Sequence, residues 1–151
     1  NNYAESDLKK AVDKWLEDMG KRGLDNAKLI PREIDLTTLD GSGCYGKLSV
    51  KAAPLTLDEA REYADIIPNA ERWCWLATGW SGPSKSDGDL ALCVGSNGDW
   101  YSYYCSLSYG IRPALKAPSI LFEDSEAGLD LSKIPTDDLL QEIHRRLAEK
   151  A

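Results

Sequence analysis

Four cysteines and one histidine are the residues of this chain that could carry nucleophilic, redox or zinc chemistry. Cys44, Cys74, Cys93 and Cys105 are 30, 19 and 12 residues apart, no CxxC pair occurs, and the single histidine is His144. Zinc sites need paired Cys or His ligands at short spacing, so this pattern argues against one. We expect no cofactor and no metal. The thiols are predicted to be reduced, with a Cys93–Cys105 disulfide across a hairpin as the alternative.

Other catalytic signatures are sparse. A Ser–His–Asp or Cys–His set needs a histidine base, and His144 lies in a charged stretch near the C-terminus. Neither a GxxxxGK[ST] loop nor a GxGxxG motif after a strand is present, so nothing predicts a phosphate site. Acidic pairs such as Asp58-Glu59 and Asp137-Asp138 stand at predicted helix starts, where the helix dipole explains them. We therefore predict a protein that is not an enzyme.

The segment from Trp73 to Phe122 is poor in charge and rich in aromatic residues. It carries three basic and three acidic residues, yet it holds four of the five Trp and four of the seven Tyr. The whole chain has a net charge of −7 and no apolar run long enough to span a membrane. An acidic chain without a basic stripe argues against nucleic acid as a partner. The segment is either a buried core or a contact surface.

The stretch from Trp80 to Tyr109 has the composition of an adaptable binding surface, with seven Ser, four Gly, four Tyr and two Trp. Tyr and Trp supply large contact areas with few rotatable bonds, and Ser and Gly supply flexible hydrogen bonding. Strand alternation over 100–104 places rings on both faces, so one face carries them outward unless both are covered within the domain. The predicted ligand-binding residues are Trp80, Ser81, Ser84, Trp100, Tyr101, Ser102, Tyr103, Tyr104, Ser106, Ser108 and Tyr109.

Two helices are predicted in the first half of the chain. Ser6 can cap a helix over 7–19, where apolar residues recur at helical spacing. Thr56 followed three residues later by Glu59 is a capping box, which predicts a second helix ending at Ile67.

Extended segments dominate the residues that follow. The predicted strands cover 72–78, 90–94, 100–106 and 110–115. Asn97-Gly98 favours a type I′ hairpin turn between the second and third of them. Helices followed by a compact antiparallel sheet predict an α+β fold.

Three domain-level segments are predicted. Residues 1–118 form the ligand-binding domain, 119–134 an acidic linker, and 135–151 a C-terminal amphipathic helix. The apolar face of that helix either folds back on its own domain or permits self-association.

Three segments carry a resemblance to a known family: 73–76 (WCWL), 91–98 (ALCVGSNG) and 110–115 (GIRPAL). They resemble the W-W-L-R-S, V-N-S-D-G and Y-G-V-R-P-A-L motifs of a bacterial and phage domain family related to formylglycine-generating enzymes. The resemblance covers about residues 3–118, and the G-[IV]-R-P-A-L ending is its most specific part. It implies a C-type-lectin-like fold, with two N-terminal helices around a small antiparallel sheet, plus the C-terminal helix.

The resemblance also implies a function. Some lectin-like proteins of this kind are diversified by retroelements that mutate template adenines, which scatters Asn codons into Tyr, Ser, Gly or Cys codons. Outcomes of that kind here are Tyr101, Ser102, Tyr103, Tyr104, Cys105, Ser106, Ser108 and Tyr109. Trp100 is not reachable in this way and would belong to the scaffold. The implied partner is a cell-surface protein or glycan, met by a phage particle or a bacterial surface protein, without nucleic acid and without membrane insertion.

Two alternative functions are left open. The first is an enzyme descended from the formylglycine-type fold, with Cys93 or Cys105 as the reactive thiol. The second is a structural phage or virion module assembled through the C-terminal helix. In each case Arg112 is expected to be a scaffold residue whose cation meets a loop carboxylate or backbone carbonyls.

Overall fold

The computed structural model opens with a short 3-10 turn, Tyr3–Glu5, and a long helix, α1, over Asp7–Lys21. Ser6 caps α1 as predicted, because its hydroxyl oxygen accepts a hydrogen bond from the Lys9 N–H at 3.1 Å. Val12 on the inner face of α1 is completely buried. The helix therefore packs on the body of the protein through one apolar stripe.

Helix α2 is shorter than predicted. It covers only Leu57–Glu62, although the capping box predicted at Thr56 is present. The expected end at Ile67 is not reached because the residues beyond Glu62 have little to pack against. Tyr63 is 39% exposed and Ile66 is 78% exposed. A short helix is stable only where tertiary contacts hold it, so α2 stops where those contacts stop.

Seven strands form three small antiparallel sheets in the part of the chain that the structure describes. They are β1 (Arg32–Asp35), β2 (Lys47–Val50), β3 (Ala52–Ala53), β4 (Cys74–Gly79), β5 (Leu90–Val94), β6 (Trp100–Tyr104) and β7 (Ala114–Leu115). The pairings are β1 with β2, β3 with β7, and β4-β5-β6 in that order. The three-stranded sheet carries five of the eleven predicted binding residues, all of them in β6.

The hairpin between β5 and β6 is confirmed, but its turn type is not. The Gly98 N–H donates to the Gly95 carbonyl at 3.0 Å, and the Gly95 N–H donates to the Asp99 carbonyl at 2.8 Å. Only Gly98 has positive φ (87°), whereas a type I′ turn needs it at Asn97 as well. The connection is a three-residue loop that closes on a left-handed glycine.

Two groups of buried residues hold the unit together. The first gathers the start of the chain with the β1-β2 sheet: Tyr3, Ile34, Leu36, Val50, Ala53 and Ala77. The second, called here the leucine cluster, joins α2 to the three-stranded sheet: Leu57, Leu76 and Leu92. The guanidinium of Arg32 links the two regions, since it bonds Glu59 of α2 and the Ala53 and Pro54 carbonyls.

The predicted C-type-lectin-like layout, with two N-terminal helices around a small antiparallel sheet, is wrong for the described residues; the C-terminal helix that it also includes lies outside them. Three separate sheets are present, strands prevail over helices, and only α1 is N-terminal. The β3-β7 pair joins Ala52 to Leu115, which are far apart in sequence. A local sequence pattern cannot predict a pairing between residues so far apart in the chain. Strand β3 is also too short, at two residues, to show a strand pattern of its own.

The structure describes residues 1–118, of which Asn1–Ala117 form one unit. The predicted linker over 119–134 and the predicted helix over 135–151 lie outside the described residues. Among the helices described, none has the length and apolar character that a membrane crossing requires.

Candidate binding surface

Five aromatic rings gather on one face of the β4-β5-β6 sheet and are called here the ring face: Trp73, Trp75, Tyr101, Tyr103 and Tyr109. In the strand register, Cys93 of β5 pairs with Trp75 of β4 on one side and with Tyr101 of β6 on the other. Ala91 of β5 pairs with Tyr103 of β6. Side chains on one face of a sheet alternate along each strand. The central strand therefore contributes only small side chains to this face, and the rings of β4 and β6 meet above it.

Trp73 is the centre of the ring face. Its ring stacks on Tyr101 with centroids 4.5 Å apart and an interplanar angle of 28°. It also meets Tyr103 edge-on at 5.4 Å and Tyr109 at 5.6 Å. Trp75 is buried, and its ring contacts that of Tyr109 with centroids 4.9 Å apart. Offset-stacked and edge-to-face pairs are favourable geometries, each contributing about 0.5–1.5 kcal/mol beyond area burial.

The position of Tyr109 depends on a backbone clamp at the next residue. The Gly110 N–H donates to the Trp73 carbonyl at 2.7 Å, and the Gly110 carbonyl accepts from the Trp75 N–H at 3.1 Å. A Cβ at Gly110 would lie 3.0 Å from the Trp73 carbonyl oxygen and 3.2 Å from the Cys74 Sγ. This close approach explains why glycine follows Tyr109.

A groove of about 580 Å³ runs beside these rings. It is lined by Arg72, Trp73, Tyr103, Ser108, Tyr109 and Gly110. One cation, two phenol groups and a serine hydroxyl thus stand next to apolar ring surface. Burial raises the pKa of the Tyr109 phenol above its ordinary value of 10.0. The phenol is therefore a neutral hydrogen-bonding group at physiological pH, as an unshifted tyrosine would also be.

The two predicted tryptophans lie on the opposite face of the sheet. Trp80 and Trp100 are half-buried and pack against the leucine cluster. The Arg61 guanidinium lies 5.3 Å from the centroid of the Trp100 ring, a cation–π contact. These two residues therefore support α2 rather than the ring face.

The remaining predicted residues differ in exposure. Tyr104 is 58% exposed and Ser81 only 2% exposed. Ser102 is half-buried at the outer strand, whereas Ser84, Ser106 and Ser108 are exposed. Of these, Ser108 is the one that lines the groove.

Trp73 and Trp75 belong to the ring face and Arg72 lines the groove beside it, but none of the three was among the predicted binding residues. The signal that could have found them is the alternation in Trp73-Cys74-Trp75, which places both indoles on one face of a strand. That face can be matched to Tyr101 and Tyr103 only when the strand register is known.

All four cysteines are free, so the Cys93–Cys105 disulfide is absent. Cys93 pairs with Tyr101, whereas Cys105 bonds its N–H to the Asp89 carbonyl. The residue opposite Cys93 is thus Tyr101, and Cys105 lies four residues further along the same chain segment, a distance of about 13 Å. That distance is too long for a disulfide. Burial raises the pKa of the Cys93 thiol from 9 to about 11, with Cys74 as a lesser cause. A buried thiol of raised pKa is a poor nucleophile.

Arg112 has the structural contact that the sequence predicts. Its Nη1 donates to the Pro68 carbonyl at 2.5 Å. It therefore ties the segment before β7 to the loop after α2. Among residues 1–118, no three His, Cys, Asp or Glu side chains are grouped closely enough to hold a metal ion.

Comparison with known proteins found no match for this chain among family models, curated proteins or solved structures.

Proposed function

We propose that this chain is a binding domain whose ring face contacts a protein or a glycan on a cell surface. The observation that supports the proposal is the ring face itself: rings on a sheet framework beside an open groove that also carries hydroxyl groups and Arg72. Aromatic anchors with neighbouring hydrogen-bonding groups are typical of recognition surfaces.

The framework lowers the cost of binding. Trp73, Tyr101 and Tyr103 already contact one another, and Gly110 clamps the backbone next to Tyr109. Side chains ordered before the partner arrives lose less conformational entropy on association. A partner that covers these rings gains burial of apolar surface, and it can accept hydrogen bonds from the phenol groups and Ser108 at the edge of the groove.

The ring face also fits the proposal of a diversified binding protein. Tyr101, Tyr103 and Tyr109 come from one short segment, whereas Trp75 belongs to β4 and Trp73 immediately precedes it. Replacement of the tyrosines would change the recognised partner while the two indoles and the sheet stayed the same. Sibling sequences from the same locus test this part: changes confined to the Tyr and Ser positions between 80 and 109 would support it, and changes spread evenly over the chain would contradict it.

The binding proposal is tested with the labelled full-length chain on a glycan array and on a panel of bacterial cells. Tyr103→Ala and Tyr109→Ala each remove one ring of the ring face and one wall of the groove. We expect each substitution to cost about 2 kcal/mol or more of binding free energy, which is a loss of roughly thirtyfold in affinity.

The matched control is Tyr63→Ala. Tyr63 is also a partly exposed tyrosine, but it lies just after α2 and makes no contact with the ring face. It should leave binding to every array or cell hit unchanged. Hits that the Tyr103 and Tyr109 variants bind as tightly as the unmodified chain would contradict the proposal.

A further inference from the structure

Strand β6 leaves one edge of the three-stranded sheet open. In the order β4-β5-β6, no strand within residues 1–118 pairs with its outer side. The opposite edge is covered, since Gly110 bridges to Cys74 and the Ala77 N–H donates to the Leu55 carbonyl at 2.9 Å. The two edges of one sheet thus differ in whether their backbone groups have partners.

The register shows which backbone groups point outward. The Cys105 N–H donates to the Asp89 carbonyl and the Gly95 N–H to the Asp99 carbonyl. In an antiparallel pair the hydrogen-bonded residues alternate, so Tyr101 and Tyr103 also bond inward to β5. The N–H and C=O groups of Trp100, Ser102 and Tyr104 therefore point outward. Of these, the Tyr104 carbonyl accepts the Leu107 N–H at 3.0 Å and keeps its second lone pair.

Within the described residues, this edge lacks the charge, the proline and the bulge that commonly block strand addition. Natural edge strands carry Lys, Pro, a bulge or an inward-pointing charge. Residues 100–104 read Trp-Tyr-Ser-Tyr-Tyr, without charge or proline, and pair with β5 without a break in register. The strand is also nearly symmetric about Ser102, with Tyr on either side of it and an aromatic residue at each end.

We propose that β6 pairs antiparallel with β6 of a second copy of this chain, on a two-fold axis at Ser102. That symmetry is the basis for choosing a second copy over any other strand. Antiparallel pairing of a sequence with itself places Ser102 opposite Ser102, Trp100 opposite Tyr104 and Tyr101 opposite Tyr103. An isologous contact of this kind closes as a dimer.

The pairing satisfies the outward backbone groups of both copies with about six hydrogen bonds. It also joins two sheets into one sheet of six strands. On the ring face Tyr101 and Tyr103 of one copy adjoin Tyr103 and Tyr101 of the other, so the rings continue across the axis. The inference rests on the strand edge alone and is independent of what the ring face binds.

The first test is the mass of the full-length chain in solution by sedimentation velocity. We expect a particle of twice the 16.7 kDa chain mass. Ser102→Pro removes only an outward N–H, which proline tolerates on an edge strand, so the fold and melting temperature should be kept. It should weaken self-association by about thirtyfold or more. Ser102→Ala, which retains the N–H, should remain dimeric.

A charge swap tests the register. Ser102→Lys and Ser102→Glu each place like charges opposite one another on the axis, so each variant alone should self-associate more weakly than the unmodified chain. A mixture of the two should recover a dimer that contains one copy of each. Recovery of the dimer only when the two variants are mixed distinguishes pairing through β6 from the self-association through residues 135–151 that the sequence suggests.

A monomeric unmodified chain would overturn the proposal, and so would a dimer that Ser102→Pro and both charged variants leave intact. If Ser102→Pro unfolds the chain, the test rests on the Ser102→Lys and Ser102→Glu variants. Formation of a mixed dimer from these two variants supports the proposal, and absence of a mixed dimer contradicts it.

Discussion

The two faces of the β4-β5-β6 sheet use alternate residues of the same strands, yet they are completed differently. On one face Leu76 and Leu92 are buried under Leu57 of α2. On the other, Tyr101 and Tyr103 are half-buried and contact other rings. Aliphatic side chains are hidden by a neighbouring element, whereas the rings cover one another and keep part of their surface available. The difference separates a buried face that stabilises the fold from a more open face that we propose contacts a partner.

The leucine cluster should determine stability. Leu92 is 4% exposed, so Leu92→Ala leaves a cavity between α2 and the sheet. We expect the free energy of unfolding to fall by about 2–5 kcal/mol in urea denaturation. Ile66→Ala, at a 78% exposed position after α2, should change it by less than about 0.5 kcal/mol. Equal losses for the two variants would remove the contrast between buried and open surface.

Cys93 tests how well the ring face seals the sheet beneath it. Its thiol is completely buried and has a pKa of about 11, whereas the unfolded chain releases the proton near pH 9. The unfolded state loses its proton first, so the contribution of this thiol to stability is present below pH 9 and is lost as the pH rises to 11.

The measurement for Cys93 is the difference in unfolding free energy between the unmodified chain and Cys93→Ala as a function of pH. We expect that difference to shrink by roughly 1–2 kcal/mol between pH 9 and 11. In the native chain at pH 8 a thiol reagent should react with the exposed Cys44 and Cys105 well before Cys93. Equally rapid labelling of Cys93 would show that the rings leave it accessible.

The smallest effect concerns the contact between two rings. Trp73 and Tyr101 are stacked at 4.5 Å, and a double-mutant cycle with Trp73→Ala and Tyr101→Ala isolates their interaction. We expect a coupling free energy of about 0.5–1.5 kcal/mol. A cycle between Trp73 and Tyr63, which lies outside the ring face, should give no coupling. Zero coupling between the stacked pair would show that the rings are independent rather than a preorganised surface.

Local signals in the sequence predicted the pieces of this fold that depend on neighbouring residues. The Ser6 cap, the Thr56 capping box and the hairpin after β5 are present because each is made within a few residues of chain. Long-range pairings were not predictable in this way, and the β3-β7 pair is the clearest case. The length of α2 was also misjudged, since its apolar spacing continues past the point where packing ends.

The composition of residues 80–109 by itself determined that aromatic and hydroxyl side chains would be concentrated in one part of this protein. Only the tertiary structure decided which of them share a surface. Alternation sends neighbours to opposite faces, so Trp100 supports α2 while Tyr101 joins Trp73. Which face is then covered depends on the strand register and on where α2 packs. Both are set by contacts between residues far apart in the chain, and composition carries no information about them.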